Sequence, residues 1–98
     1  WVELARVYLG LGEAGKALEA GTEALRRNPG HPWALAVTGH ALILGGKRDE
    51  GLSSLRRALA AQPRRPEAWL SLGAAFEAAG DARNAALCRA RAAAVTRG

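Results

Sequence analysis

The sequence predicts an all-α protein built as a stack of antiparallel helix pairs, and three observations carry that expectation. The first is composition: alanine, leucine and arginine dominate the 98 residues, aromatics are 5%, and β-branched residues are too few for a sheet. Alanine loses no side-chain entropy in a helix, and leucine and arginine lose little. The second is a repeat of 34 residues, marked by Gly12, Gly46 and Gly80 and by Pro29 and Pro63. The third is the recurrence of apolar residues at three- and four-residue steps up to each of those glycines, the signature of one face of an amphipathic helix.

Along the chain, the first helix carries Trp1, Leu4, Ala5 and Tyr8 and stops at Gly12. The second carries Ala17 and Ala24 and closes before Pro29, because proline lacks the amide donor a continuing helix needs. The same order returns with Leu35, Thr38, Gly39 and Leu42 up to Gly46, then Leu52, Leu55 and Leu59 up to Gln62 and Pro63. It returns again with Trp69, Leu72, Gly73 and Phe76 up to Gly80, then Ala85, Ala86, Arg89 and Ala92. Short links force the two helices of each pair to run antiparallel.

Small residues recur at two places in the unit. Ala5, Gly39 and Gly73 on the first helices are expected to face Ala17, Gly51 and Ala85 on the second, because two helices approach closely only where side chains are short. Tyr8, Leu42 and Phe76 then fill the space around each contact. No single copy can bury its apolar face alone, so the copies must stack.

These residues resemble the tetratricopeptide repeat, whose pattern over 34 residues sets Trp, Leu, Gly and Tyr before Ala, a bulky residue, Ala and Pro. The third copy meets it with Trp69, Leu72, Gly73, Phe76, Ala85 and Ala92, and the first with Trp1, Leu4, Ala5, Tyr8, Ala17, Ala24 and Pro29. The middle copy keeps Gly39, Leu42, Ala58 and Pro63 but places Leu35 and Thr38 where Trp and Leu stand in the pattern. The resemblance implies a right-handed superhelix of helix pairs over residues 1–98, with copies at 1–31, 32–65 and 66–98 and the first copy short of its opening residues. The bulky place of the second helix holds Leu55 in the middle copy, Gly21 in the first and Arg89 in the third. Gly21 is expected to loosen its helix, at a cost of about 1 kcal/mol relative to alanine, and Arg89 to mark a change of packing at the end of the array.

Chemistry has little to work with. There is no glycine-rich phosphate loop, no nucleophile elbow and no acidic pair in an apolar setting, so an enzyme is not expected. His31 and His40 do not stand at metal-ligand spacing from each other or from Cys88, and the single cysteine excludes an internal disulfide. No metal or other cofactor is expected. No apolar run approaches the roughly 20 residues that cross a bilayer, and no basic-then-apolar leader opens the chain. The chain opens at Trp1 and holds no methionine, which suggests a segment excised from a longer protein.

The formal charge of +5 raises nucleic acid and acidic proteins as partners. Arg26, Arg27, Arg56, Arg57, Arg64 and Arg65, however, fall near the ends of second helices, where the helix dipole favours positive charge. No aromatics are interleaved with them to stack on bases, which argues against nucleic acid.

The resemblance places the working surface on a concave face lined by first helices. By position that face includes Val2, Glu3, Arg6 and Leu9, then Trp33, Ala36, Val37, His40, Ile43 and Leu44, then Glu67, Leu70, Ser71, Ala74 and Glu77. We expect Arg6, Leu9, Trp33, Val37, His40, Ile43, Leu70, Ser71 and Ala74 to form a peptide-binding groove, with Trp33 as its exposed anchor and acidic groups on the ligand. Family members that grip the terminal carboxylate of chaperone tails use lysine, asparagine and arginine on this face. Here only Arg6 could serve, and Glu67 would repel the tail. The expected function is therefore binding of a partner peptide or helix, with self-association through the exposed alanines and Leu87 of the last helix as a further expectation. The alternatives are a regulatory or substrate-presenting segment of a larger enzyme, or a segment of an envelope or secretion scaffold.

Overall fold

The computed structural model describes residues 1–97, and six helices follow one another through them. They are α1 (Val2–Gly10), α2 (Ala14–Arg27), α3 (Pro32–Leu44), α4 (Arg48–Ala60), α5 (Pro66–Ala78) and α6 (Ala82–Arg97), with no strand among the described residues.

Each first helix ends the same way, and the glycine at its end explains why. Gly12, Gly46 and Gly80 have φ of 76°, 88° and 83°, the left-handed region that residues bearing a Cβ enter at a cost. At that angle the next amide turns back on the helix: Glu13, Lys47 and Asp81 donate to the carbonyls of Tyr8, Leu42 and Phe76 at 2.9, 2.8 and 2.9 Å. This is the Schellman closure, which satisfies carbonyls the helix leaves open and reverses the chain into the second helix. The 34-residue glycine period is the period of this turn.

Starts are set by other means. Pro32 and Pro66 occupy the first position of α3 and α5, where the missing amide costs nothing. His31 caps α3 by accepting the Ala34 amide on Nδ1 at 3.2 Å. Asp81 caps α6, accepting the Asn84 amide at 3.0 Å and its side-chain amide at 2.7 Å. These bonds, the backbone one first, hold the Asp81 carboxyl below its usual range.

The helices pair in order, α1 with α2, α3 with α4 and α5 with α6. The backbones of α1, α3 and α5 also approach one another in sequence, whereas α2 and α4, or α4 and α6, make no close approach among the described residues. The array therefore curves with its first helices on the inside. At its centre lies α3, on which every residue from Trp33 to Gly39 is buried, because α1, α2, α4 and α5 all pack on it. One apolar cluster joins Leu35, Leu55, Trp69, Leu72, Phe76 and Cys88. A second joins Ala5, Ala20, Trp33, Val37 and Ala68. Trp69 additionally donates Nε1–H to the Pro63 carbonyl at 2.6 Å, pinning the link between the second and third pairs.

The expected small-residue contact is tighter in the middle pair than in the last. A Cβ added to Gly39 would lie 2.9 Å from the Gly51 carbonyl and 2.7 Å from Leu55 Cδ2, and one added to Gly51 would lie 2.7 Å from the Gly39 carbonyl. Gly73 is looser: its nearest neighbours would be Arg89 Cγ at 3.4 Å and the Ala85 carbonyl at 3.5 Å.

Gly21 has a packing role beyond the expectation attached to it: it is buried against α3, where a Cβ would collide with the Thr38 hydroxyl. The Thr38 hydroxyl at this contact is buried without a hydrogen-bond partner among the described residues. Arg89 does mark a change at the last pair. The places that hold Ile43 and Leu55 in the middle pair hold Glu77 and Arg89 here, and these join in an exposed ion pair at 2.6 Å.

Two substitutions at one repeat position should therefore move stability in opposite directions. Gly39→Ala forces a methyl against backbone and should destabilise the fold by about 1–3 kcal/mol. Gly73→Ala meets only ordinary contacts and should stabilise α5 by up to about 1 kcal/mol through helix propensity. Urea unfolding of both variants checks the pair; equal effects would contradict the close-approach account.

Candidate functional site

On the concave side, α1, α3 and α5 bound a groove of about 600 Å³. The first contributes Glu3, Arg6, Leu9 and Gly10, the second Trp33 and His40, and the third Glu67, Leu70, Ser71 and Ala74. The spacing on α5, at steps of three, one and three, is one face of a helix. Of the expected residues, Arg6, Leu9, Trp33, His40, Leu70, Ser71 and Ala74 are brought together here.

Two expected residues are not. Val37 is 1% exposed and packs under the groove in the second apolar cluster. Ile43 turns toward α4, with Cγ1 over Gly51, and packs against the first cluster. Val37 is covered because α3 has a neighbouring first helix on both sides, whereas Ile43 is half-buried against the second helix of its own pair.

Trp33 is also corrected. It does not stand off the core as an exposed anchor: it is 4% exposed and belongs to the cluster of Ala5, Ala20, Val37 and Ala68. Only one edge reaches the groove, where its Nε1–H donates to Ser71 Oγ at 2.9 Å, joining α3 to α5. The same ring borders a smaller cleft lined by His31, Pro32, Pro63, Arg64, Arg65 and Ala68, and there the Arg65 guanidinium lies 5.3 Å from the ring centroid. The exposed apolar residue of the groove is instead Leu70, at 55%.

The polar groups are mixed. Glu3, Arg6 and Glu67 are exposed, and none of the three forms an ion pair among the described residues. Partial burial pushes the His40 imidazole below its ordinary pKa, which makes it a neutral hydrogen-bonding group near neutral pH. Gly10 lines the groove although its side of α1 carries no apolar signal; nothing in a one-helix pattern marks it, because its place follows from how α1 leans on α3. Elsewhere Trp1, Leu4, Val7 and Leu11 leave apolar surface on the outer side of the first pair.

Arg56 and Arg57 lie exposed on α4, away from the groove. Arg26 and Arg27 are engaged by Glu23, at 2.6 and 3.2 Å, and those bonds, Arg26 first, hold the Glu23 carboxyl down at about 2. No helix among the described residues is long and apolar enough to cross a membrane.

Trp33→Ala should cost about 3–5 kcal/mol of stability, as for a large buried aromatic, in contrast to a change that acts on binding alone. Ser71→Ala should cost about 1 kcal/mol by unpairing the indole, and Trp33→Phe should make Ser71→Ala nearly silent in a double-mutant cycle. The His40 shift has a pH consequence. Since the folded pKa is depressed, its contribution is complete above the unfolded value of 6.5 and is lost as pH falls through the window between the unfolded and folded values. His40→Gln should flatten the decline in stability below pH 6.5; an unchanged slope would remove His40 from that account.

The sequence profile of the tetratricopeptide repeat matches residues 8–75, taking in α2, α3 and α4 whole and most of α5. A comparison with curated proteins gives no match. Repeats of this kind are in general non-catalytic modules of protein interaction, and six helices in antiparallel pairs are what they fold into. With the profile covering more than half of its length and the glycine-closed helix pairs in register, the chain belongs to the tetratricopeptide repeat family.

Proposed function

We propose that the concave groove binds a peptide or helical segment of a partner protein. One observation carries this reading: three helices from different repeats converge on one concavity that presents Leu9 and Leu70 beside Arg6, His40 and Ser71. A groove that mixes a few oriented polar groups with apolar walls is the usual form of a recognition site. Its volume of about 600 Å³ suits a few side chains of a docked segment.

Within the groove Leu70 is the anchor, because it combines exposure with a place between α3 and α5. His40 and the Ser71 hydroxyl supply neutral hydrogen bonds that orient the bound chain. Self-association through α6 is a separate proposal that rests on exposed Leu87 and its neighbouring alanines. Light scattering at high concentration tests it: concentration-dependent growth in mass supports it, and a strict monomer contradicts it.

The groove is tested with peptides selected from a random phage-displayed library on the wild-type domain, with affinities read by fluorescence anisotropy. Leu70→Ser should weaken binding about tenfold, near 1.4 kcal/mol. Ala74→Trp, which adds bulk at an exposed place on the groove wall, should abolish binding with helicity intact. Replacing Arg56 and Arg57 with alanine should have a smaller effect that fades with salt. If the arginine pair abolished binding and Leu70→Ser left it untouched, the basic surface would replace the groove as the working site.

A further inference from the structure

The groove carries charge in an order that specifies its ligand more narrowly. First helices of successive repeats run the same way, so residues 34 apart stand at the same height. Glu67 is level with Trp33, and Glu3 is level with Val37 and Ser71, one turn further along. Arg6, His40 and Ala74 share the next level, about 10 Å from the height of Glu67 at 1.5 Å per residue. The end of the groove at the helix starts is thus acidic, its middle holds one guanidinium and a neutral imidazole, and its apolar residues are Leu70 on one wall and Leu9 toward the far end.

This arrangement runs against the charge of the molecule as a whole. In a chain of formal charge +5, the groove holds two carboxylates and one guanidinium. The helix dipole favours a carboxylate in the first turn of α1 and of α5. It does not require that both face the same concavity, and neither is neutralised there by an ion pair among the described residues. The nearby Arg65 is held on the Trp33 ring and lines the smaller cleft, not the groove. Screening at physiological salt, with a Debye length of about 8 Å, weakens the arginines of the outer helices at this end, where Glu3 and Glu67 line the groove itself and Arg65 sits across the Trp33 ring in the adjoining cleft.

Resting on the groove reading above, we infer that the occupant is a peptide in which a lysine or arginine stands next to a bulky apolar residue. The cation lies between Glu3 and Glu67, and the apolar side chain lies against Leu70. This departs from the acidic ligand expected from the sequence, because two carboxylates and one guanidinium line the groove.

The test uses the random library of displayed peptides on the wild-type domain, keeping only binders lost on Ala74→Trp. Those binders should be enriched in lysine and arginine and depleted in aspartate and glutamate. For a selected cationic peptide, the double variant Glu3→Gln, Glu67→Gln should weaken binding about tenfold at low salt and less at high salt, with the circular dichroism spectrum unchanged. Exchanging the peptide's lysine for glutamine should produce a similar loss on the wild type and almost none on the double variant. Enrichment in acidic residues, or unchanged binding by the double variant, would overturn the cation assignment while leaving the groove in place. A library in which no binder responds to Ala74→Trp or Leu70→Ser would overturn the groove and this inference with it.

Discussion

Burial of α3 on every side is the constraint on which the rest of the structure depends. A helix packed by four others has no solvent face through its first two turns, so its residues must be apolar or small all round. From Trp33 to Gly39 all but Thr38 are, and at Gly39 the backbone of α4 comes close enough to leave no room for a Cβ. The price of this arrangement is visible at Thr38, whose hydroxyl is buried without a partner where Gly21 lets α2 press against it. With α3 fixed, α1 and α5 take positions on either side, and the concavity between them follows. Trp33 then works at two levels, filling the space between repeats with its ring and fastening α5 to α3 through its nitrogen.

Much of the fold was legible in the sequence because its period reports a backbone requirement. A left-handed residue closes each first helix, and glycine meets that requirement three times at one spacing. The contact of Gly39 with Gly51 was legible for a similar reason, since both residues belong to one copy and stand at matching places. The packing role of Gly21 was not legible because its partner, Thr38, belongs to the next copy. A pattern confined to one repeat does not show what the neighbouring repeat presses against it.

The candidate site shows the same limit from the other side. Ala36 and Leu70 occupy the same place in successive repeats, yet the first is fully buried and the second is 55% exposed. At this place in the repeat the number of neighbouring helices decided whether solvent reaches the side chain. Trp33 and Val37 were expected at the surface and are buried between the repeats, while Ile43 is half-buried against α4. The two ends of the array differ as well. Trp1, Leu4 and Val7 leave apolar surface where α3 offers Leu35, Thr38 and Ala41 to its neighbours. At the other end Glu77 and Arg89 place a polar pair where the middle repeat has Ile43 and Leu55.

Native-state hydrogen exchange resolved along the chain measures the dependence on α3 most directly. If burial of α3 holds the repeats together, amides in its buried turns should exchange only through unfolding of the whole molecule, with a free energy equal to that from denaturant titration, while α1 and the end of α6 open at lower cost. Exchange of α3 amides through a partial opening that leaves α5 and α6 protected would show that the pairs are stable independently, and would contradict the account.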